Sequence, residues 1–253
     1  MDTFRFYNEL ADVYHLIYAD WEETMARQAS VLDSIIREYL GQGMKSVLDA
    51  SCGIGTQSLG LAQSGYVVTA SDISPLAIER AQGEAKKRSL RIAFSVADMR
   101  KCDEAHTGQF DVVLSADNSV PHLLSDQDIR AAFQAMFRST RTGGMVVITM
   151  RDYAREDRSP VQLRPYGVRR TEEGRVIVLQ LWEFEKGTDL YDVSMYFVVE
   201  PTDGSRHVIA SKTRYYAVPV TTLCGLLEEV GFTNVERIDD RFFQPILVGR
   251  KAG

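Results

Sequence analysis

Short apolar segments alternate with helical segments over much of this 253-residue chain, and the alternation constrains the fold more than any other feature. Strands are predicted at 46–50, 67–71, 92–96, 110–115 and 145–150, with helices at 56–63, 75–88 and 126–138. Strands separated by helices require right-handed crossovers, which place parallel strands in one sheet with helices on both faces. The sequence therefore predicts an α/β fold with a doubly wound, mostly parallel sheet.

The segments outside this alternation complete the predicted architecture. Residues 1–45 carry apolar residues at three- and four-residue spacing and predict an N-terminal helical cap. Residues 151–218 contain β-rich runs joined by turn residues, which predict a small antiparallel β insertion. A helix at 221–230 and strands at 235–238 and 242–250 bring the main sheet to seven strands. The α/β domain is then expected to comprise 46–150 and 219–253.

Six arginines lie in one window of about 20 residues within the predicted insertion. They are Arg151, Arg155, Arg158, Arg164, Arg169 and Arg170. Charge-rich segments of this kind are usually solvated loops, so the window is expected to be a loop. Arg151 differs from the others because it directly follows a predicted strand.

Composition excludes several classes of protein. Lys and Arg total 29 against 35 Asp and Glu, a net charge of −6, which argues against nonspecific nucleic-acid binding. No stretch approaches the roughly 20 apolar residues of a membrane span. The N-terminus lacks the layout of a signal peptide, and three cysteines are too scattered for a disulfide framework. A cytoplasmic location is expected.

A glycine turn joins the first strand to the first helix of the alternating region. The strand ends at Asp49, the turn contains Gly53 and Gly55, and the helix begins at Thr56. Glycines let the backbone approach a ligand closely, and a helix N-terminus offers free N–H groups. The second strand ends at Asp72, 17 residues after Gly55, where an acid can bind ribose hydroxyls.

Two cofactor classes fit this strand–turn–helix arrangement. A nicotinamide cofactor favours a glycine or alanine three residues after Gly55, where this chain has Ser58. Asp49 lies just before the glycines and suits a cationic ligand better than a pyrophosphate. S-adenosylmethionine carries a sulfonium and an amino group, so the two acids favour it.

The segment from Val47 to Asp72 resembles the cofactor-binding motifs of class I S-adenosylmethionine-dependent methyltransferases. Later segments agree with this resemblance: Val96-Ala97-Asp98-Met99, Phe110-Asp111-Val112-Val113-Leu114 and Thr142-Gly143-Gly144-Met145. The resemblance implies a Rossmann-like sheet and S-adenosylmethionine as cofactor.

The resemblance also implies roles for individual residues. Gly53 and Gly55 would pass the methionine part of the cofactor, and Asp72 would hold its ribose. Asp98 would accept a hydrogen bond from the adenine amino group, with Ile73 and Met99 on either side of the ring. The complete expected cofactor set is Arg27, Asp49, Ser51, Gly53, Gly55, Asp72, Ile73, Asp98, Met99 and Ala116.

Three segments outside the cofactor motifs resemble the glycine N-methyltransferase family and its bacterial glycine/sarcosine relatives. They are Asn118-Ser119-Val120-Pro121-His122-Leu123, Arg151-Asp152-Tyr153 and the Tyr215-Tyr216 pair. By this resemblance Asn118 and Arg151 would hold the carboxylate of an amino acid, Tyr215 would border the amine pocket and Tyr18 would lie near the methyl group. Arg27 would approach the cofactor carboxylate. Asp152 departs from the family, which often has Asn there.

The expected activity is in-line methyl transfer from S-adenosylmethionine to the nitrogen of a small amino acid such as glycine or sarcosine. The alternatives are an N-methyltransferase of a nucleotide-linked aminosugar and a small-molecule O-methyltransferase using His122 as base. A protein that senses the cofactor without turnover and a nicotinamide-dependent oxidoreductase are rivals of other classes. Aminosugar enzymes need no carboxylate-binding arginine, so Arg151 distinguishes the first two readings.

The expected partner is a small-molecule acceptor, with no nucleic acid and no membrane. No metal is expected, because Cys and His nowhere cluster with ligand spacing. A homo-oligomer stays open, since the sequence carries no interface signature.

Overall fold

A seven-stranded sheet forms the centre of the α/β part of this computed structural model, which describes residues 3–43 and 46–253. The strand order is β10-β11-β5-β4-β1-β2-β3. The strands are β1 (Ser46–Asp49), β2 (Val67–Asp72), β3 (Ala93–Val96), β4 (Phe110–Ser115), β5 (Thr140–Thr149), β10 (Thr233–Ile238) and β11 (Ile246–Arg250). The strands β1–β5 pair in parallel, and β11 pairs antiparallel with both β5 and β10. The predicted fold class is therefore confirmed.

Helices cover both faces of this sheet. They are α2 (Trp21–Leu40), α3 (Thr56–Gln63), α4 (Pro75–Lys87), α5 (Cys102–Ala105), α6 (Asp126–Ser139) and α7 (Val220–Glu229), whereas α1 (Thr3–Leu10) packs elsewhere, on the second sheet. Alternate strand residues point to opposite faces. Val146 and Ile148 pack with α6 and α7, whereas Val147 packs with α2. Both faces of the central strands are apolar for this reason. None of the helices in the described part of the chain is both long and apolar enough to cross a lipid bilayer.

A second sheet of four antiparallel strands lies between β5 and α7 in the chain. It consists of β6 (Val161–Thr171), β7 (Gly174–Phe184), β8 (Leu190–Pro201) and β9 (His207–Tyr216), in that order. One end of its inner face, with Trp182 and Tyr191, packs into the α/β core. The other end, with Val178 and Phe197, is covered by Phe6 of α1. The second sheet and α1 therefore stand over the carboxyl edge of the main sheet.

A loop was expected at 151–170. The prediction is wrong for the second half of this segment, because residues from Val161 onward form β6. This strand lies at the edge of its sheet, so its polar side chains stay accessible while its backbone pairs with β7. Arg169 is not a solvated side chain. Its guanidinium donates to the carbonyl oxygens of Leu16 and Tyr18, at 2.9 and 2.6 Å.

The start of the N-terminal segment differs from the prediction, which placed residues 4–17 on one helical face. Helix α1 ends at Leu10, and a short 3-10 helix follows at Tyr14–Ile17. The carbonyl groups around residue 17 accept from Arg169 instead of continuing a helical ladder. In the last predicted strand, only Ile246–Arg250 is β structure. Residues 239–245 form bends and loop, and Pro245 lies immediately before β11.

Candidate active site

A cavity of about 290 Å³ lies at the carboxyl ends of β1, β2 and β4. The position follows from topology, because β1 has β2 on one side and β4 on the other. Chain crossovers leave a crevice where strand order reverses, and ligands of such sheets bind there. The N-terminal segment closes the cavity with Tyr14 and Tyr18. We call this space the large cavity.

The glycine turn gives its two glycines different functions. Gly53 has a φ of +52°, and a Cβ at this position would meet no atom within 4 Å. It lines the large cavity, so the turn leaves room for a ligand against the backbone. Gly55 has a φ of +95°, and a Cβ there would lie 3.2 Å from Leu59 and 3.3 Å from Ala81. Gly55 thus permits close helix packing and does not line the cavity, contrary to expectation.

Asp72 is buried at the end of β2 and lines the large cavity. Its Oδ2 accepts from the Gly53 N–H at 2.8 Å, and its Oδ1 accepts from the Ser74 N–H at 2.9 Å. Burial raises the pKa of this carboxyl, against the opposing effect of the backbone hydrogen bonds. Each carboxylate oxygen retains capacity for a further donor, which a ribose hydroxyl can supply.

Asp49 lies beneath the glycine turn and does not line the cavity. Its Oδ2 accepts from Ser58 Oγ at 2.7 Å, and Oδ1 lies 3.4 Å from the Ser51 N–H. Burial raises the pKa of Asp49 to about 7. The expected direct contact of Asp49 with a cationic ligand is therefore not found. The bond from Ser58 instead ties the end of β1 to α3, and the bond from Ser51 holds the turn between them.

The opposite wall of the large cavity contains Ile73, Asp98 and Met99. Asp98 accepts from the Arg100 N–H at 2.9 Å and from its guanidinium at 2.6 Å. Arg100 also donates to Asp128 at 2.8 Å. Ile73 and Met99 are half-buried, so an aromatic ring can lie against both.

Arg27 is exposed on the outer face of α2, so its expected approach to the cofactor is wrong. The buried face of this helix carries Gln28 one residue later, which accepts from Gln57 at 2.6 Å. Thr56 and Gln57, at the N-terminus of α3, line the large cavity in place of Arg27. Their N–H groups begin the helix and have no partner within it, so they suit a carboxylate.

The two remaining expected cofactor residues, Ser51 and Ala116, both line the large cavity. Ser51 Oγ is hydrogen-bonded to Ser115 Oγ at 2.8 Å, which links the ends of β1 and β4. Among the described residues lining this cavity, four aspartates face one arginine. They are Asp72, Asp98, Asp117 and Asp128, with Arg100. This excess of negative charge, together with the open space at Gly53, fits S-adenosylmethionine.

A second cavity of about 40 Å³ lies beside the first and shares Tyr14 and Asp117 with it. We call it the small cavity. Three expected acceptor residues line it, namely Asn118, Arg151 and Tyr215. They come from the loop after β4, the loop after β5 and strand β9. The two cavities therefore form adjoining spaces, one at the glycine turn and one under the second sheet.

Asn118 is fixed by a network of buried groups. Its Nδ2 donates to Tyr153 Oη at 2.8 Å, and its Oδ1 accepts from the Arg151 N–H at 3.1 Å. Tyr153 Oη is in turn hydrogen-bonded to Tyr191 Oη at 2.9 Å. These contacts join the loops after β4 and β5 to the second sheet. Asn118 thus sets the position of the Arg151 backbone as well as lining the cavity.

The guanidinium of Arg151 lies over the ring of Trp182, 4.4 Å from its centroid. Glu156 Oε1 is 3.7 Å from Arg151 Nε, beyond hydrogen-bond distance. Arg164 also lies over Trp182, at 3.7 Å, and donates to Glu156 at 2.6 Å. Stacking on an aromatic ring holds the plane of a guanidinium while leaving its N–H donors available.

His122 is enclosed by aromatic side chains on the wall of the large cavity. Its Nε2 lies 2.8 Å from Tyr7 Oη, and its ring lies 4.0 Å from that of Tyr215. Burial lowers the pKa of His122 to about 3, so the imidazole is neutral near neutral pH. A weakly basic imidazole that is already hydrogen-bonded is a poor proton acceptor.

Tyr18 lines the large cavity and donates from its Oη to Asp117 Oδ2 at 2.8 Å. Burial and the neighbouring carboxylate raise the pKa of this tyrosine well above its usual value. Sequence reasoning missed Asp117, although its place after β4 could have indicated it. It also missed Tyr166 and Trp182, whose approach depends on the unrecognised strand β6 and long-range packing.

Within residues 3–43 and 46–253, no group of three or more His, Cys, Asp or Glu side chains is placed to hold a metal ion. The cysteines Cys52, Cys102 and Cys224 are unpaired.

Comparison with known proteins identifies the part of the chain around the large cavity. Residues 47–144 match the family model described as "Methyltransferase domain". The glycine/sarcosine N-methyltransferase of Parasynechococcus marenigrum is 32% identical over 136 residues, which are 54% of this chain and 47% of that protein. The human glycine N-methyltransferase is 29% identical over 57% of this chain and 52% of its own. The chain thus spans about half the length of these curated relatives.

Solved structures extend the similarity of fold to nearly the whole chain. Streptomyces venezuelae DesVI superposes with a TM-score of 0.84 at 19% identity, covering 96% of this chain and 98% of that chain. At this identity the likeness shows a shared fold. Residues 47–144 therefore carry the likeness to a methyltransferase domain, and S-adenosylmethionine is the cofactor that this likeness indicates.

Proposed function

We propose that this protein transfers the methyl group of S-adenosylmethionine to the nitrogen of a small amino acid such as glycine or sarcosine. One observation carries the proposal. The small cavity adjoins the large cavity at Tyr14 and Asp117, and Arg151 and Asn118 line it. A carboxylate held at Arg151 would leave the amine of a short amino acid facing the large cavity.

The volume of the small cavity favours a small acceptor. A space of about 40 Å³ compares with ~10–15 Å³ for a single enclosed water on the same measure. The cavity thus holds a group of a few heavy atoms. Its walls include the rings of Tyr14, Tyr166, Trp182, Tyr191 and Tyr215, which reduce the contact of a bound amine with water.

Arg151 suits carboxylate recognition through its geometry. A guanidinium stays charged and offers parallel N–H donors that bind both oxygens of a carboxylate. Trp182 fixes its plane, and Asn118 fixes its backbone. Because the arginine is oriented before binding, less entropy is lost when the acceptor is held.

S-adenosylmethionine supplies, when bound, a methyl group activated by the positive sulfur. The protein then has to align the amine and keep water out, and alignment of this kind can lower a barrier by several kcal/mol. Tyr215 borders the small cavity and Tyr18 the large one, so under this proposal both tyrosines would lie near the acceptor amine. The amine must be neutral to attack, so activity rises with pH until the amine is deprotonated.

The second candidate is an N-methyltransferase of a nucleotide-linked aminosugar. It is supported by likeness of fold to the cofactor-bound CalS10, an amino pentose methyltransferase from Micromonospora echinaspora. That structure superposes with a TM-score of 0.77 at 16% identity, covering 90% of this chain and 92% of its own. The small volume of the cavity and the presence of Arg151 in its wall favour the amino acid instead. O-methylation with His122 as base is disfavoured by the lowered pKa of that histidine, about 3.

An acceptor screen with radiolabelled S-adenosylmethionine tests the proposal. The acceptors are glycine, sarcosine, dimethylglycine and aminosugar nucleotides, assayed with wild type, Arg151→Ala and Arg155→Ala. Arg155 is the matched control, because it lies in the same segment with a side chain that is 75% exposed. We expect turnover of an amino acid that falls about 100-fold in Arg151→Ala, the cost of a lost charged hydrogen-bond pair.

The control variant Arg155→Ala should retain the wild-type rate. Turnover of an aminosugar nucleotide, with none of any amino acid, would replace the proposal by its second candidate.

A further inference from the structure

Asp117 occupies the junction of the two cavities and lines both of them. It follows β4, and both Asp117 and Asn118 have left-handed backbones, with φ of +55° and +65°. Thr149 holds this turn, because its Oγ1 accepts from the Asp117 N–H at 2.8 Å and its carbonyl from the Asn118 N–H at 3.0 Å. Two consecutive non-glycine residues in this region are strained and are retained where surrounding contacts fix them.

Opposite charges face each other in the small cavity. Among the described residues that line it, Asp117 and Arg151 are the only charged ones. An amino acid bound there as a zwitterion carries the same two charges with reversed sign. Once its carboxylate is placed at Arg151, Asp117 is the one carboxylate in that lining able to receive the amine.

The Asp117 carboxylate keeps capacity for another donor. Its Oδ2 accepts from Tyr18, whereas Oδ1 lies 3.4 Å from Gln244 Nε2, a long hydrogen bond. An ionised carboxylate accepts about four hydrogen bonds. The ionisable groups facing it are Tyr14 and Tyr18 of the N-terminal segment and Arg151 after β5. Burial raises the pKa of Asp117, and Tyr18 and Arg151 oppose this effect.

We propose that Asp117 binds the cationic amine of the acceptor and stabilises the positive charge on its nitrogen during methyl transfer. This inference rests on the proposed function. Before the transfer, the bound ammonium releases one proton to solvent, which frees the nitrogen lone pair. In the transfer, that lone pair forms the new bond to carbon, and the carbon–sulfur bond breaks with its electron pair kept by sulfur. Positive charge leaves sulfur and appears on nitrogen as an N-methylammonium. Asp117 lies at the junction of the cofactor and acceptor cavities. Its carboxylate therefore stabilises the positive charge that forms on the nitrogen.

A purely structural role for Asp117 would consist of anchoring Tyr18. The two roles separate with Asp117→Asn and Tyr18→Phe. Asparagine tolerates the left-handed backbone and still accepts from Tyr18, but it carries no charge. The Tyr18→Phe variant removes the anchored hydroxyl and leaves the carboxylate.

The test measures binding of glycine and of acetate by calorimetry, with saturating S-adenosylhomocysteine present. Acetate has the carboxylate without the amine. We expect Asp117→Asn to weaken glycine binding about 10- to 100-fold, the loss of a hydrogen bond to a charged group. Acetate binding should change little, and Tyr18→Phe should keep the wild-type preference for glycine over acetate.

Equal losses for glycine and acetate in Asp117→Asn, or no preference for glycine in wild type, would overturn the inference. Binding is measured apart from turnover, so the two proposals can fail separately. Preferential glycine binding without methylation would refute the proposed function and leave standing only the binding of the amine by Asp117. Methylation of glycine at the wild-type rate in Asp117→Asn would refute the role of Asp117 and leave the proposed function standing.

Discussion

The large and small cavities adjoin each other but are built in different ways. Apart from the side formed by the N-terminal segment, the large cavity is formed mainly by loops at the carboxyl ends of β1, β2, β3 and β4 and by the start of α3. Its main contacts involve backbone groups, as in the bond from the Gly53 N–H to Asp72. The small cavity combines side chains from the N-terminal segment, two loops of the main sheet and all four strands of the second sheet.

The difference shows which kind of site a short sequence motif can specify. A turn fixed by glycines and by strand ends depends on neighbours in the chain. A cavity walled by Tyr166, Trp182 and Tyr215 depends on the packing of one sheet over another. Substitutions that separate backbone from side-chain contributions should therefore affect the two cavities differently.

The largest effect is expected at the glycine turn. Gly53→Ala puts a methyl group into the space where the cofactor approaches the backbone, and S-adenosylhomocysteine binding should weaken about 100-fold, with a strain cost of about 1 kcal/mol. Gly187→Ala is the matched control, since Gly187 has a φ of +81° and no atom within 4 Å of its Cβ position. It shares the strain but lies in the hairpin turn between β7 and β8.

Calorimetric titration of both variants, with unfolding measured in parallel, checks this prediction. If Gly187→Ala weakened cofactor binding as much as Gly53→Ala, the effect of Gly53→Ala would come from backbone strain alone.

Tyr153→Phe tests the side-chain network behind the small cavity. The change removes the partner of Asn118 Nδ2 and of Tyr191 Oη, and leaves these buried groups unsatisfied. A cost of ~1–3 kcal/mol in the free energy of unfolding is expected. Acceptor binding should weaken while cofactor binding is retained. Urea denaturation measures the stability, and titrations with cofactor and with acceptor measure the two affinities. Equal losses of affinity for both ligands would contradict the separation of the cavities.

The smallest effect is an opposite pH dependence of two buried groups beside the large cavity, His122 on its wall and Asp49 beneath the glycine turn. His122 has its pKa lowered to about 3 from 6.5, so the unfolded state binds more protons between these values and His122 costs stability as pH falls. Asp49 has its pKa raised to about 7 from 3.8, so the native state binds more protons there and Asp49 costs stability as pH rises.

Urea unfolding of wild type, His122→Asn and Asp49→Asn at pH 6 and pH 5 tests the two signs. On going from pH 6 to pH 5, stability relative to wild type should rise by about 1 kcal/mol in His122→Asn and fall by a similar amount in Asp49→Asn. A shift of the same sign in both variants would refute one of the two assignments.

The main sheet was predictable from sequence because its strands are buried on both faces and separated by helices. The glycine turn and Asp72 were identified for the same local reason. The roles of Asp49 and Gly55 were not, because only the structure shows that one lies beneath the turn and the other against Ala81. Arg27 lies away from the large cavity because it falls outside the buried face of α2, which carries Met25, Gln28 and Ala29.

Strand β6 escaped prediction because charged and apolar residues alternate in it as they do in many loops. Its arginines contact distant groups, Arg164 at Trp182 and Arg169 at the carbonyl of Leu16. Such contacts are set by tertiary packing and leave no periodic signal. The small cavity was therefore anticipated only through three segments of family resemblance, and its other walls appeared with the structure.

The pairing of β4 with β5 has a consequence for the length of the acceptor. Asp117 leaves β4 and Arg151 leaves β5, and these strands are neighbours with Ser115 opposite Ile148. Adjacent strands are spaced at ~4.8 Å by their hydrogen bonds. Under the proposed function, the spacing of these two strands therefore sets the distance between the amine and the carboxylate of the acceptor. The spacing of these strands then decides between α-amino acids and longer homologues. Substitutions in the cavity wall leave that distance unchanged.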